Sequence, residues 1–275
     1  MTAWVMPRTK TALKMDRFVI PYRVYGEGVH SLVFINGIQQ SMAMWQSFVR
    51  RFCRHYRIVI FDFPYQGKGR IVSGSVDMTL DEQVDVLGAV VNAAGIDDRL
   101  TICSASWGGV IAAGYAVRHP NKVQRLILAS MGTRPNKKMT EMITQGTQVF
   151  PQNGAGVAET LIQSFGQDLP PAMKNKIAAQ FQRMSGEALQ AFCRHGRWVL
   201  SIGELGKAVD VSKIKCKTIL LHGENDTIID ADDVKVLATQ IPRAELKIIK
   251  GVGHFLHLEK EDLLDVYDEI LASPY

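Results

Sequence analysis

The chain has 275 residues, of which 47% are hydrophobic and 21% are charged, a balance typical of a globular protein with a substantial core. No apolar run approaches the roughly 20 residues of a membrane-spanning helix, and the residues after Met1 lack the apolar core of a signal peptide. We therefore expect no membrane span and a cytoplasmic location. The net charge of +5 is spread over dispersed basic residues, which argues against nucleic-acid binding but leaves open a basic rim for an acidic partner.

The cysteines are scattered and show no C-x-x-C spacing: Cys53, Cys103, Cys193 and Cys216. This pattern predicts free thiols in a reducing compartment rather than a disulfide framework or a zinc site. The sequence also has no metal-ligand cluster and no glycine loop for a nucleotide. We therefore expect no cofactor.

The first half of the chain alternates between predicted strands and predicted helices. Residues 8–25 alternate in polarity and lead to a turn at 26–28, which indicates an opening β-hairpin. The next predicted elements are a strand over 31–36, a helix over 43–53, a strand over 57–62, a helix capped by Thr79 and Glu82 that runs to about Ala94, a strand ending at Cys103, a helix from Val110 to Arg118 and a strand over 123–129. This alternation predicts an α/β fold whose sheet is mainly parallel and flanked by helices.

The pattern changes between Thr133 and Glu204, where helical spacing dominates and no strand is indicated. We predict that residues 133–204 form a helical lid inserted into a core of residues 1–132 and 205–275. Lids exclude water and line substrate pockets. The apolar residues that could line such a cavity, or alternatively pack in the lid's own core, are Met139, Met142, Phe150, Leu161, Phe165, Met173, Phe181 and Met184.

A tight turn around Ser106 is the most informative local pattern. An apolar run ends at Cys103, small residues surround Ser106, and a helical pattern begins at Val110. This arrangement predicts a nucleophile elbow, in which a sharp strand-to-helix turn lifts one serine above the sheet edge. Ser104 replaces the first glycine of the usual G-x-S-x-G pattern and is small enough to fit. The alternative is an ordinary turn serine.

Two further candidates follow predicted strands near the end of the chain. Asp226 comes after an apolar strand over 217–221, and His254 comes after a strand over 246–249. The chain order of serine, acid and histidine is that of catalytic triads on α/β-hydrolase folds. A serine hydroxyl needs a base such as His254 to take its proton, and an acid such as Asp226 to fix the imidazole tautomer.

Each triad candidate also has a structural alternative when taken singly. An aspartate after a strand is often a helix cap or a loop acid, and a lone histidine is often a core or surface residue. We interpret the remaining histidines as structural: His30, His55, His119, His195, His222 and His257.

Backbone N–H groups beside the serine could stabilise a developing oxyanion. In this kind of site one donor follows the nucleophile, and the other lies in the loop after the third strand. We therefore predict the N–H groups of Trp107 and Ile38 as the donors, with Gly37 giving the loop its freedom to turn. The alternative reading of Asn36-Gly37 is an ordinary tight turn.

The elbow and one lid segment together resemble a known family. Residues 104–109 (SASWGG) and 168–171 (DLPP) are similar to the 3-(3-hydroxyalkanoyloxy)alkanoate synthases of rhamnolipid biosynthesis and to the related 3-hydroxyacyl-carrier-protein:CoA transacylases. Residues 34–37, 61–68 and 253–256 are also similar, so the resemblance extends from about residue 30 to 270. The loop 38–45 is bulkier than its family counterpart, and His257 stands where an acid is expected.

The resemblance implies an α/β-hydrolase fold and an acyl-transfer reaction. Ser106 would accept the acyl group, with Asp226 and His254 as orienting acid and base. The implied substrates are 3-hydroxyacyl thioesters of coenzyme A or acyl carrier protein, and the acceptor would be a second hydroxyacyl group or another thiol. Two alternatives remain: a thioesterase or carboxylesterase with water as acceptor, and a non-catalytic binding protein, against which the intact triad argues.

Overall fold

The computed structural model describes residues 5–97, 99–149 and 154–274. Its strands are β1 (Thr9–Met15), β2 (Phe18–Tyr25), β3 (His30–Ile35), β4 (Tyr56–Phe61), β5 (Arg70–Ile71), β6 (Leu100–Ala105), β7 (Val123–Ala129), β8 (Lys217–Gly223) and β9 (Ala244–Ile249). Its helices are α1 (Gln46–Phe52), α2 (Leu80–Ala93), α3 (Trp107–Arg118), α4 (Lys137–Val149), α5 (Gly154–Phe165), α6 (Pro171–Gln182), α7 (Gly186–Ile202), α8 (Ala231–Gln240), α9 (Leu256–Glu259) and α10 (Leu263–Ala272).

The strands form one sheet in the order β1-β2-β4-β3-β6-β7-β8-β9, and the short β5 pairs with β2. From β4 to β9 in this order the pairing is parallel, whereas β1, β2 and β5 pair antiparallel. The α/β fold with a mainly parallel sheet flanked by helices is therefore confirmed. Because the parallel strands all point the same way, their carboxyl ends meet at one edge, where ligands bind in such folds.

Two details differ from the sequence-based expectation. The chain does open with a β-hairpin, but its turn is at Asp16–Arg17, where Asp16 has φ 44°; residues 26–28 instead connect β2 to β3. The elbow helix α3 begins at Trp107 rather than at Val110. The early start was missed because Gly108 and Gly109 are poor helix formers, so the apolar spacing is visible only after them.

The core lies on both faces of the sheet. One face packs against α2, α3 and α8, and the other packs against α1 and α10. Neighbouring residues of β3 point to opposite faces, with Val33 in the first core and Phe34 in the second. Strands buried on both faces need continuous apolar runs, which explains why these strands are visible in the sequence.

Helices α4 to α7 all lie between β7 and β8, within the predicted insertion. Helices α5, α6 and α7 share a small apolar core of their own, which includes Val157, Phe181 and Leu189. Among the described residues, no helix is both long enough and apolar enough to cross a membrane.

Candidate active site

Ser106 occupies the turn between β6 and α3 in a strained backbone conformation, with φ 48° and ψ −121°. A residue other than glycine adopts this region at an energetic cost that is most often met at functional sites. Gly108 makes the turn possible, because a Cβ there would lie 2.6 Å from the carbonyl oxygen of Asn36. Ser104 is completely buried, so its small side chain fits where the usual pattern has glycine.

The structure brings the three predicted triad residues into one hydrogen-bonded chain. His254 Nε2 lies 3.1 Å from Ser106 Oγ, and His254 Nδ1 lies 2.8 Å from Asp226 Oδ2. If Nδ1 carries the proton and donates it to the carboxylate, Nε2 is free to accept from the serine hydroxyl. This geometry is what proton transfer from Ser106 to His254 requires.

The Asp226 carboxylate is buried but well supplied with donors. Its Oδ1 accepts hydrogen bonds from the backbone N–H groups of Ile228 at 3.0 Å and Ile229 at 3.1 Å. Burial by itself would raise the pKa of Asp226, but the charge of His254 and these hydrogen bonds outweigh it and hold the pKa below its ordinary value. Asp226 is therefore ionised at neutral pH and suited to stabilise an imidazolium.

Two polar residues that sequence reasoning missed hold the loop of His254. The Ser130 hydroxyl, at the end of β7, donates to the His254 carbonyl oxygen at 2.6 Å. The Glu259 carboxylate accepts from the backbone N–H of Gly253 and, at 2.9 Å, from that of Phe255. Ser130 left one signal in the sequence, because it directly follows a strand at the same sheet edge. Glu259 left none.

The predicted oxyanion donors, Ile38 and Trp107, both line the cavity that contains Ser106. Among the described residues, neither backbone N–H donates a hydrogen bond to another protein atom. Their positions, after β3 and directly after Ser106, are those of an oxyanion hole on this kind of sheet.

A buried amide network fixes the loop that carries Ile38. Trp45 Nε1 donates to Asn36 Oδ1 at 2.8 Å, and Asn36 Nδ2 donates to Gln66 Oε1 at 3.0 Å. Gln66 Nε2 then donates to the carbonyl oxygen of Gly37 at 2.9 Å, and the N–H of Gly37 donates to Gln40 Oε1 at 2.8 Å. Because the side-chain amides of Asn36 and Gln66 both donate and accept, the loop backbone is held in one conformation before any substrate binds.

Beneath this loop lies a buried carboxylate. Asp62 accepts a hydrogen bond from the backbone N–H of Met42 at 2.7 Å. Burial raises the pKa of Asp62 to about 6, although hydrogen bonds from Met42 and Lys68 act in the opposite direction.

Two cavities meet at Ser106. The first, of about 160 Å³, is mainly apolar and runs beneath α4 and α7. The second, of about 210 Å³, also contains His254 and the loop after β3. Five of the predicted lid residues line one or both: Met139, Met142, Leu161, Met173 and Phe181. Met184 packs against the insertion's own core, whereas Phe150 and the side chain of Phe165 lie outside what the structure describes.

A third cavity, of about 620 Å³, adjoins the elbow and is lined by Ile38 and Trp107. His195 of α7 forms part of its wall and contacts the Trp107 ring edge-to-face, with centroids 4.6 Å apart. Burial lowers the pKa of His195 to about 4, so this imidazole is neutral at pH 7. Its placement was not visible in the sequence, because contact between α7 and the elbow depends on tertiary packing.

His257 is a buried core residue. Its Nε2 lies 3.1 Å from the hydroxyl of Tyr267, and its ring packs against Trp45 and Phe48. Burial lowers the pKa of His257 to about 3. In the described part of the chain, no group of histidine, cysteine or acidic side chains is arranged to hold a metal ion.

The fold and the site define the class of protein. The chain matches the α/β hydrolase fold family over residues 30–261, and it belongs to that family.

Its curated relatives include acyl-transfer and hydrolytic proteins. The chain is 22% identical over 249 residues to an (R)-3-hydroxydecanoyl-ACP:CoA transacylase of Pseudomonas putida, covering 87% of this chain and 83% of the relative. It is 26% identical over 265 residues to the proline iminopeptidase PfmaB of Pestalotiopsis fici, covering 89% of this chain and 92% of the relative. A thermophilic esterase from Thermogutta terrifontis superposes with a TM-score of 0.80 at 19% identity, covering 96% and 98%, which shows the fold alone. The resemblance to the transacylases that the sequence motifs indicated is confirmed.

Proposed function

We propose that the protein is an acyltransferase that acts on 3-hydroxyacyl thioesters of coenzyme A or acyl carrier protein. The observation that carries the proposal is the hydrogen-bonded chain of Ser106, His254 and Asp226 at the junction of two cavities. The similarity to a hydroxydecanoyl transacylase over most of both chains supports the substrate class.

In the first half-reaction, Ser106 Oγ attacks the thioester carbonyl carbon while His254 Nε2 takes the hydroxyl proton. The N–H groups of Ile38 and Trp107 stabilise the oxyanion of the tetrahedral intermediate. The carbon–sulfur bond then breaks, and the leaving thiol takes the proton from His254. The product is an acyl ester on Ser106.

In the second half-reaction, the acceptor is the hydroxyl of another 3-hydroxyacyl group or a second thiol. His254 removes the acceptor's proton as its oxygen or sulfur attacks the acyl-enzyme. When the intermediate collapses, Ser106 Oγ leaves and regains the proton from His254. The acceptor must reach Nε2, so it occupies the cavity that contains both His254 and Ser106.

We further propose that residues 133–204 act as a lid over a core formed by residues 1–132 and 205–275. Helices α4, α5 and α7 line the apolar cavity, and α4 contributes Met139 and Met142; methionine adapts to flexible apolar chains. Such a cover would shield the acyl-enzyme from water.

Hydrolysis is the second candidate, with water in place of the hydroxyl or thiol acceptor. The same triad would perform both reactions, and the similarity to a proline iminopeptidase favours keeping this candidate. The two differ only in what enters the cavity beside His254.

The deciding experiment is mass spectrometry of the products that purified protein forms from 3-hydroxydecanoyl-CoA and, separately, from the carrier-protein thioester. We expect a dimeric hydroxyacyl ester or an acyl group exchanged between carriers, and no product with Ser106→Ala. Free 3-hydroxy acid as the sole product would assign the protein to the hydrolases. Full activity of Ser106→Ala would show that the nucleophile is misassigned.

A further inference from the structure

Gln39 is a buried polar residue whose side-chain oxygen lacks a partner. It lies one residue beyond Ile38, and only 8% of its surface is exposed. Its Oε1 atom is buried and, within the described residues, accepts no hydrogen bond. Most buried polar side-chain atoms are paired, and leaving one unpaired is costly. The unpaired oxygen at this place points to a ligand that brings the missing donor.

Gln39 borders the cavity that holds the proposed reacting side chains. It lines the cavity of about 210 Å³ that contains Ser106 and His254, and also the cavity of about 620 Å³ beside the elbow. Its backbone is in the left-handed region, with φ 57°, and Gln180 of α6 donates a hydrogen bond to its carbonyl oxygen. A residue other than glycine takes this conformation at an energetic cost, in tight turns and at functional sites.

The chemistry of the substrate suggests which group Gln39 meets. When Ser106 attacks the carbonyl carbon of a 3-hydroxyacyl group, the hydroxyl lies only two carbons away along the chain. A hydroxyl both donates and accepts hydrogen bonds, so it can pair with either end of a glutamine amide. An unsubstituted acyl chain has no such group and would leave the Gln39 oxygen unpaired.

We propose that Gln39 hydrogen-bonds the 3-hydroxyl of the bound acyl group and thereby selects hydroxyacyl over unsubstituted acyl thioesters. The proposal rests on the acyltransferase function and adds its specificity determinant. A site built to pair a substrate hydroxyl discriminates strongly against the analogue that lacks it, because the site's polar group is then buried without a partner.

The test compares 3-hydroxydecanoyl-CoA with decanoyl-CoA in the wild type and in Gln39→Met, which keeps an unbranched side chain but removes the amide. Release of free thiol measures acylation of Ser106 whatever the acceptor is. We expect the ratio of kcat/KM for the two substrates to fall at least about tenfold, through loss of activity on the hydroxylated one. The thermal unfolding midpoint checks that the variant folds.

Gln180→Met is the matched control, because Gln180 lines the same cavity and hydrogen-bonds the backbone carbonyl of Gln39 rather than its side chain. This control substitution should change kcat/KM for both substrates by a similar factor. An equal loss on both substrates in Gln39→Met, or a wild type without preference for the hydroxylated thioester, would overturn the proposal while acyl transfer stands. If free acid is the only product but Gln39→Met still loses the preference for the hydroxylated thioester, the acceptor is water and the proposed role of Gln39 stands. No thiol release from either thioester would overturn both.

Discussion

At the scale of single residues, the two carboxylate oxygens of Asp226 have different hydrogen-bond partners, and this difference has a testable consequence. Oδ1 is held by the N–H groups of Ile228 and Ile229, and Oδ2 faces His254 Nδ1. An asparagine at this position would keep its oxygen on the two backbone donors and place its NH2 group against the imidazole. The imidazole proton would then move to Nε2, which could no longer accept the proton of Ser106.

We therefore expect Asp226→Asn to lower kcat by about 10³- to 10⁴-fold while the protein stays folded. Steady-state thiol release measures the loss, and circular dichroism checks the fold. The exposed Asp232→Asn serves as control and should retain full activity, since Asp232 pairs with the exposed Lys235 away from His254 and Ser106. An Asp226→Asn enzyme within tenfold of the wild type would show that Asp226 does not set the tautomer.

Glu259 offers a second prediction, because it uses both carboxylate oxygens. One accepts from the N–H of Gly253 and the other from that of Phe255, so the flanks of His254 are held together. A glutamine has only one acceptor oxygen and must leave one N–H unpaired, a cost of about 1–3 kcal/mol. We expect Glu259→Gln to lower kcat about tenfold with little change in KM, because the loop of His254 loosens.

Measuring kcat and KM for Glu259→Gln and for Glu261→Gln, a substitution at an exposed neighbouring residue, would test this. The neighbour should behave as the wild type. Equal effects of the two substitutions would show that charge in this region, rather than the hydrogen bonds of Glu259, is what matters.

At the scale of secondary-structure elements, the last helix depends on one buried cation. Arg125 of β7 is fully buried and donates to the carbonyl oxygens of Ile270 and Ser273, each at 2.6 Å. Both carbonyl groups lie at the C-terminal end of α10, where a helix runs out of its own donors, and that of Ile270 also accepts hydrogen bonds from Ser273. A buried charge needs hydrogen-bond partners, and these bonds from the Arg125 NH groups couple β7 to the end of α10.

We expect Arg125→Met to lower the free energy of unfolding by about 2–4 kcal/mol, because the carbonyls of Ile270 and Ser273 lose the hydrogen bonds that Arg125 donates. Urea unfolding measures the change. Arg118→Met is the control: Arg118 forms exposed ion pairs with Asp81 and Asp85, which are worth at most about 1 kcal/mol. Similar losses in both variants would contradict the coupling.

The elements also show which parts of the fold are visible in the sequence. Strands such as β6 and β8 are buried on both faces and form continuous apolar runs, and α2 begins at a complete capping box of Thr79 and Glu82. These are local signals, and the predictions based on them agree with the structure. The contact of His195 with Trp107 joins residues far apart in the sequence, and the contacts of Glu259 lie in a segment without a periodic pattern, so no local signal reveals them.

At the scale of the whole molecule, stability should depend on pH through buried groups. His257 has a pKa of about 3 in the folded protein, below its value of about 6.5 in an unfolded chain. Between these values the unfolded state binds a proton that the folded state does not, so this contribution to stability is lost as the pH falls below about 6.5. Asp62, with a pKa raised to about 6, acts in the opposite direction, because its protonated form is favoured in the folded state.

The difference between the wild type and His257→Gln isolates the histidine. We expect urea unfolding between pH 4 and 7 to show a smaller loss of stability on acidification in the variant, since glutamine can still pair with Tyr267 and does not titrate. Exposed His55→Gln should follow the wild type. Parallel curves for wild type and His257→Gln would show that His257 is not kept neutral by burial.

The contact between α7 and the elbow has one more consequence. Trp107 directly follows Ser106, and its ring lies 5.3 Å, centroid to centroid, from that of Trp198 and 4.6 Å from that of His195, both on α7. Indole emission responds to the polarity and to the aromatic neighbours of the ring. Any displacement of α7 from the sheet edge would therefore alter the fluorescence of Trp107, so the protein carries its own optical reporter of α7 movement directly beside Ser106.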